Sequence, residues 1–142
     1  MELLYIGSIC DAKIFADRVE KSQIKPSSAP QSFESAILKG LRSQTGVNLS
    51  AMSAESIAPY PHGSELLLKR RIDVIEGFDV SIIPAINLPV LKQFSHAFNA
   101  RRMVKRWLKE TGDKQRCIIM YGIYPTLAKA VLAESHRHNC KV

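Results

Sequence analysis

The sequence predicts an open α/β fold, with a mainly parallel sheet and helices on both of its faces. Short, almost continuously apolar runs alternate along the chain with longer segments whose apolar residues recur every three or four positions. Such runs are typical of buried parallel strands, and the periodic segments are typical of the amphipathic helices that cover them. The chain has 142 residues, a length that fits one domain or part of one.

The first strand is predicted at Leu3–Gly7, where an apolar run ends at a glycine. The stretch from Ser8 to Pro30 is polar and irregular, and the Pro and Ser residues of its last part, Pro26 included, break regular structure. Within it, residues 12–20 can form a helical turn. A long loop directly after a first strand is often functional.

A helix is predicted at Gln31–Gln44 because four apolar residues recur at spacings of three and four, Phe33, Ile37, Leu38 and Leu41. Ser32 is its expected N-cap, and Gly46 is its stop signal. The second strand is predicted at Val47–Ala54, where apolar and small polar residues alternate.

The middle of the chain is less regular. Residues 56–63 are predicted to be a loop, and Ser64–Glu76 is either a short helix or an irregular basic segment. Asp79–Ile86 is almost continuously apolar and predicts the third strand. Pro84 cannot donate to a sheet ladder, so it indicates an edge strand or a bulge.

The clearest helix is predicted at Ser95–Thr111, with Ser95 as its cap. Its apolar face is formed by Ala97, Ala100, Val104, Trp107 and Leu108. Much of the rest is basic: Arg101, Arg102, Lys105, Arg106 and Lys109. These five residues either form the solvated outer face of a packed helix or attract anionic lipid headgroups at a membrane surface.

The last third predicts one more strand and helix. Arg116–Tyr124 is the strand, and Pro125 sits at the first turn of the helix, where its missing N–H costs nothing. The helix buries Leu127, Ala128, Val131 and Leu132 and ends at Asn139. Residues 140–142 resemble the start of a further strand, and we therefore expect the chain to be the front portion of a longer protein.

The formal charge of +7 is concentrated at one end of the sequence. Residues 1–94 hold ten Lys/Arg and ten Asp/Glu, whereas residues 95–142 hold ten Lys/Arg and three acids. A uniformly basic nucleic-acid binder would not have this distribution, and no recognition motif for nucleic acid is present. A local basic face suits an anionic membrane, a nucleic acid or a phosphorylated ligand.

The three cysteines, Cys10, Cys117 and Cys140, have neither CxxC nor zinc-finger spacing. They are expected to be buried thiols of a protein in a reducing, cytoplasmic compartment, and no metal site is expected. No apolar run is long enough to span a membrane.

The sequence has neither a GxGxxG fingerprint nor a P-loop, and no Ser/His/Asp or Cys/His arrangement is indicated. The catalytic residues are therefore unknown. In open α/β sheets, ligands bind at the carboxyl ends of the strands. On that rule the cleft-binding candidates are Gly7, Ser8, Asp11, Asn87, Tyr124 and Thr126. The simpler alternative is that Gly7 and Asn87 are turn residues and Asp11 is a loop residue.

Several stretches together resemble the N-terminal domain of family-4 glycosyltransferases. The resemblance covers Leu3–Gly7 with its long loop, Pro30-Gln31-Ser32-Phe33 with the helix behind it, Ile82–Pro89, Val104–Leu108, and Ile118–Gly122 leading to Pro125. It implies a Rossmann-like domain that forms the N-terminal half of a GT-B fold. The family's Gly-rich turn after the first strand is reduced here to Gly7-Ser8, which argues against direct diphosphate contact by this loop.

The resemblance also implies a function. Such enzymes transfer a sugar from a nucleotide-sugar donor to a glycan or lipid-linked acceptor, with retention of configuration and without a bound metal, as in polysaccharide biosynthesis. The N-terminal domain mostly holds the acceptor, and the C-terminal domain holds the nucleotide and a pair of glutamates. We therefore expect these residues to bind no cofactor, to be inactive by themselves, and to contact the inner membrane face peripherally.

The main alternative is a stand-alone, flavodoxin-like α/β binding module whose basic surface meets anionic partners. A flavodoxin needs a Ser/Thr/Gly phosphate loop after its first strand, and Ser8-Ile9-Cys10-Asp11 does not supply one. A response regulator needs an aspartate at the end of its third strand, and that strand ends here in Ile86-Asn87.

Overall fold

A five-stranded sheet forms the centre of the fold. The computed structural model describes residues 1–25 and 27–142. Its strands are β1 (Glu2–Gly7), β2 (Asn48–Ser53), β3 (Leu67–Leu68), β4 (Arg71–Ile75), β5 (Phe78–Ile82), β6 (Ala85–Ile86) and β7 (Arg116–Met120). Its helices are α1 (Ala12–Lys21), α2 (Ala29–Arg42), α3 (Leu91–Thr111) and α4 (Pro125–Arg137).

The strand order of the sheet is β4-β5-β2-β1-β7. β1 pairs in parallel with β2 and with β7, and β2 pairs in parallel with β5. Only β4 is antiparallel, because a tight turn joins it directly to β5. Strands β3 and β6 form a separate two-stranded antiparallel ladder. This arrangement confirms the predicted open, mainly parallel, Rossmann-like α/β fold.

Helices cover both faces of the sheet, as the sequence predicts. Helices α3 and α4 pack on one face, where Leu4 and Ile6 of β1 meet Val104 and Leu127. Helix α2 packs on the other face, where Tyr5 meets Leu38 and Ile82. All six residues of β1 are buried, because helices lie on both sides of it. No helix in the described ranges is long and apolar enough to cross a membrane.

The stretch after β1 is more ordered than its sequence predicts. Residues 12–21 form the complete ten-residue helix α1 rather than a single helical turn in an irregular loop. Asp11 makes this possible, because its carboxylate accepts hydrogen bonds from the N–H groups of Lys13 and Ile14. Helix α2 then begins at Ala29, so Ser32 lies inside the helix and is not its N-cap. Pro26, which the sequence assigns to the loop, lies outside the described residues.

The prediction for residues 64–76 is wrong in both of its forms. The segment contains strands β3 and β4, and β4 is an edge strand whose Ile72 and Val74 remain exposed. The predicted third strand is in fact two strands, β5 and β6, which belong to different ladders. Pro84 lies between them, where no ladder N–H is needed.

Helix α3 begins four residues earlier than predicted, and Ser95 is not its cap. The Ser95 hydroxyl instead donates to the carbonyl of Leu91 at 2.8 Å and accepts from the N–H of Ile86 at 3.0 Å. The turn before the helix is strained. Val90 has φ 66° and ψ −55°, and the N–H of Leu91 donates to the carbonyl of Pro89 at 2.7 Å, which makes a γ-turn with a positive central φ.

Replacing Val90 by glycine is expected to stabilise the fold by about 1 kcal/mol, because glycine adopts positive φ without the strain of a β-branched side chain. Val90 is 68% exposed, so little burial is lost. Urea unfolding of Val90→Gly measures the change. The matched control, Val74→Gly, removes an equally exposed valine from a strand and is expected to lose about 1 kcal/mol. A Val90→Gly protein no more stable than the parent would contradict the assignment of strain.

Candidate functional site

The carboxyl ends of the parallel strands meet at one edge of the sheet. The chain moves from β1 outward to β2 and β5 on one side, and it returns through α3 to β7 on the other side. The strand order therefore reverses between β1 and β7, which is where open α/β sheets leave a crevice for ligands. The loops at this reversal point, which we call the crevice, are residues 8–11 after β1 and residues 121–124 after β7.

A buried carboxylate organises the β1 side of this crevice. Glu34 of α2 is fully buried, and its Oε2 accepts from the Tyr5 hydroxyl at 3.0 Å and from the Ser8 N–H at 2.8 Å. Its Oε1 accepts from the Ser8 hydroxyl at 2.5 Å. A Cβ atom on Gly7 would overlap Oε2 of Glu34, so this position requires glycine. Gly7 and Ser8 thus form a turn that packs directly against the Glu34 carboxylate.

Two further side chains fix the loop after β1. Gln31 donates its Nε2 to the carbonyl of Ser8 at 3.1 Å, and its Oε1 accepts from the N–H of Cys10 at 2.7 Å. Asp11 is occupied as the N-cap of α1, so the structure places it in a helix cap rather than facing the crevice. Burial raises the pKa of the Cys10 thiol, which disfavours the thiolate that a nucleophile needs.

The β7 side of the crevice carries an exposed aromatic pair. Tyr121 follows β7, and its ring centroid lies 5.0 Å from that of Phe33 on α2. The two side chains are 38% and 52% exposed, respectively. We call Phe33 and Tyr121 the aromatic rim. Gly122 has φ +62° and sits beside the Ser8 hydroxyl, so the two loops lie close together.

Tyr124 and Thr126 lie where the β7 loop enters α4. The Tyr124 ring stacks on His96 of α3 with a centroid distance of 6.2 Å. The Thr126 Oγ1 atom is buried and has no hydrogen-bond partner among the described residues. Four of the six candidates therefore lie at or just after the carboxyl ends of β1 and β7: Gly7 ends β1, Ser8 follows it, Tyr124 precedes α4, and Thr126 lies in the first turn of α4.

Asn87 has a different role. Its side chain is fully buried, and its Nδ2 donates to the carbonyls of Ala58 at 2.9 Å and Glu65 at 2.8 Å. These bonds hold two points of the connection between β2 and β3 against the end of β6. The structure therefore places Asn87 away from the loops that line the crevice.

A second buried carboxylate lies just after β2. Oε1 of Glu55 pairs with Nη1 of Arg18 at 2.8 Å and also with Arg71. Burial alone would raise the pKa of Glu55, but the pairing with Arg18 lowers it. Arg18 also holds Glu65 at 2.7 Å, and Arg71 holds Asp73 at 2.9 Å. We call Arg18, Glu55, Glu65, Arg71 and Asp73 the ionic cluster.

Two polar residues of α3 extend the core face of the helix toward this edge of the sheet. Lys92 is buried, and its Nζ donates to the carbonyl of Ile57 at 2.6 Å. Burial lowers the pKa of Lys92 to about 8. Burial also lowers the pKa of His96 to about 4, and neither ring nitrogen has a partner within the described part of the chain. His96 is therefore a neutral imidazole at pH 7 with its hydrogen-bonding capacity unused.

The predicted basic face of α3 separates into different environments. Arg101 pairs with the buried Glu134 at 2.9 Å, whereas Arg102 stacks over the ring of Phe98 at 5.7 Å. Arg102 and Arg106 line one cavity, Lys109 lines another, and Lys105 is exposed. The five basic residues therefore do not form one continuous charged surface with a common environment.

Comparisons with known proteins identify no relative: no family model, no curated protein and no solved structure matches the chain. Over residues 1–25 and 27–142, no group of three His, Cys, Asp or Glu side chains is arranged to hold a metal ion.

Sequence reasoning missed four functional candidates, which are Glu34, Glu55, Lys92 and His96. A periodicity signal was present for three of them. Glu34 lies one turn before the buried Leu38, while Lys92 and His96 continue the stripe of Ala100 and Val104 at spacings of four. Glu55 follows β2 directly and carries no such periodicity.

Acid sensitivity is expected from His96. The unfolded imidazole has a pKa near 6.5 and the folded one a pKa of about 4, so only the unfolded state takes up a proton as the pH falls between these values. Stability should therefore fall by roughly 2 kcal/mol between pH 7 and pH 5 through this group alone. Urea unfolding of His96→Leu should lack this loss. Lys92 is silent in this window, because its folded pKa of about 8 lies above it.

His136→Gln is the matched control for that experiment, because His136 is exposed on α4 and should leave the parent's pH dependence unchanged. Equal pH dependence in the parent and in His96→Leu would contradict the assignment.

Proposed function

We propose that this chain is the acceptor-binding, N-terminal portion of a retaining GT-B glycosyltransferase, which moves a sugar from a nucleotide sugar to a glycan or lipid-linked acceptor. The observation that supports the proposal most is that the hydrogen-bond donors of the turn after β1 are already occupied. The N–H and hydroxyl of Ser8, which a phosphate-binding loop would offer to its ligand, already bind the Glu34 carboxylate. A neutral, hydroxyl-rich ligand fits this crevice better than a phosphate does.

The electrostatics of the turn support the same choice. A phosphate group near Ser8 would meet a buried carboxylate instead of free N–H donors, and like charges at short range repel strongly where water is excluded. This disfavours the flavodoxin-like alternative, whose cofactor phosphate would bind after the first strand. A sugar carries no charge, so the buried carboxylate does not repel it.

The aromatic rim supplies the second element of a sugar site. A pyranose ring has one apolar face of C–H groups, which packs on an aromatic ring, and a rim of hydroxyl groups, which need polar partners. Phe33 and Tyr121 offer exposed rings next to the crevice.

Half of such a cleft is expected to bind but not to catalyse. Transfer requires stabilisation of the negative charge that develops on the donor phosphate, and it requires the acceptor hydroxyl to be oriented against the anomeric carbon. The family's nucleotide site and its glutamate pair belong to the second domain. The 142 residues therefore hold the acceptor, and the donor is activated elsewhere.

Titration of the chain with short, water-soluble oligosaccharides, followed by amide NMR, should shift the signals of Ser8, Tyr121 and Gly122. Phe33→Ala should weaken the affinity about tenfold, the effect of removing one stacked ring. The matched control is Phe94→Ala, since Phe94 is similarly exposed but lies on α3 away from the crevice.

Two results would overturn this function. One is shifts at Ser8 with flavin mononucleotide but with no oligosaccharide, which would favour the flavodoxin-like module. The other is sugar transfer from a nucleotide sugar by these 142 residues alone, which would contradict the division of labour.

A further inference from the structure

Three arginines from two parts of the chain line one cavity. The cavity has a volume of about 380 Å³ and is lined by Arg70, Pro84, Asn99, Arg102, Met103 and Arg106. Arg102 and Arg106 are one turn apart on α3 and so share a side of the helix. Arg70 comes from the connection between β3 and β4. The cavity lies beside α3, and none of the residues at the crevice lines the cavity.

The walls of this cavity are fixed by hydrogen bonds and packing. Asn99 donates its Nδ2 to the carbonyl of Pro84 at 3.0 Å, which ties α3 to the break between β5 and β6. Met103 packs against the hydrophobic core formed by α3 and α4. The backbone on both sides of the cavity is therefore held in place, and the three arginines project from it as exposed side chains.

The charge of the cavity is not neutralised by the protein. Arg18, Arg71 and Arg101 each pair with a carboxylate. In the described ranges, by contrast, none of Arg70, Arg102 and Arg106 forms an ion pair. Asp79 and Glu110 line an adjoining cavity of about 300 Å³ together with Arg70 and Arg106, and neither acid lines the cavity of the three arginines.

We propose that this cavity, the arginine pocket, is a phosphate-binding site. Guanidinium groups present two parallel N–H donors that match two phosphate oxygens, which makes arginine the residue suited to binding phosphate in a defined geometry. Pro84 and Met103 supply an apolar wall for the group that the phosphate carries. The site goes beyond the proposed function, because it requires neither a sugar acceptor nor the crevice.

Two sources can supply this phosphate, a small soluble phosphate or the headgroup of an anionic lipid. The surface beside the pocket bears on this, because Phe98 lies under Arg102 and Phe94 is one turn away, both more than half exposed. An apolar ridge beside a cationic pocket also fits a phosphate with an acyl chain attached. The experiment therefore uses both probes.

Inorganic pyrophosphate is titrated into the chain at low salt and followed by amide NMR and calorimetry, and sedimentation with phosphatidylglycerol vesicles is measured in parallel against phosphatidylcholine vesicles. Arg106→Gln and Arg102→Gln should each weaken binding about tenfold for whichever of the two probes the parent chain binds. Arg106→Lys keeps the charge but not the two-pronged donor, so it should recover only part of the affinity. Thermal unfolding checks that each variant is folded.

Lys129→Gln is the matched control, because it removes one charge from an exposed position of α4 outside the pocket. It should change the affinity less than twofold. If the arginine variants lose pyrophosphate binding, the pocket is a site for a soluble phosphate. If they lose only the binding to phosphatidylglycerol vesicles, the pocket is a site for an anionic lipid headgroup. Equal losses in Lys129→Gln and Arg106→Gln, or no binding of either probe by the parent chain, would overturn the proposal.

Discussion

The burial of the Glu34 carboxylate under the end of β1 is the constraint on which the candidate site depends. A buried charge is tolerated only when hydrogen bonds replace the water it loses, and Tyr5 and Ser8 supply three such donors. Burial beside Glu34 also raises the pKa of Tyr5, so its hydroxyl stays protonated and continues to donate. The carboxylate therefore fixes the distance between α2 and the central strand, and it makes glycine obligatory at position 7.

The consequences extend along the chain from this point. Glu34 binds the N–H and hydroxyl of Ser8, and the Gln31 side chain bridges the backbone of Ser8 and Cys10. The loop after β1 therefore has a defined path into α1. Helix α1 then carries Arg18 to Glu55, the second buried carboxylate. The buried carboxylates of Glu34 and Glu55 are thus each balanced locally, Glu34 by neutral donors and Glu55 by guanidinium groups. At the turn after β1, the Ser8 N–H and hydroxyl that a phosphate would require are already bound to Glu34.

The α/β class, β1 and the core face of α3 could be predicted from the sequence, because apolar periodicity reports directly on burial. Trp107 is an example: the periodicity predicts it on the core face, and it is buried there, with its indole N–H donating to the Ser50 hydroxyl at 3.2 Å. Strand β4 could not be found in this way. As an edge strand it exposes Ile72 and Val74 and buries Asp73, so its pattern is the inverse of the usual one.

The candidate site was only half predictable. The rule that ligands bind at the carboxyl ends of strands located Gly7, Ser8, Tyr124 and Thr126 in the sequence. It could not show that Glu34, Glu55 and His96 are buried, because charged and polar residues resemble surface residues until their partners are known. Those partners are distant in sequence: Glu34 meets Ser8 across 26 residues. Only the packing of α2 and α3 on the sheet brings such groups together.

The most direct test of this account is the hydrogen-exchange protection of the Ser8 amide in Glu34→Gln. The substitution removes the charge and turns one acceptor into a donor that faces the Tyr5 and Ser8 hydroxyls, so the hydrogen bond to the Ser8 N–H should weaken. The account predicts at least a tenfold loss of protection at Ser8, about 1.4 kcal/mol, with the amides of Leu4 and Ile6 still protected. Protection of Ser8 equal to that in the parent chain would contradict it.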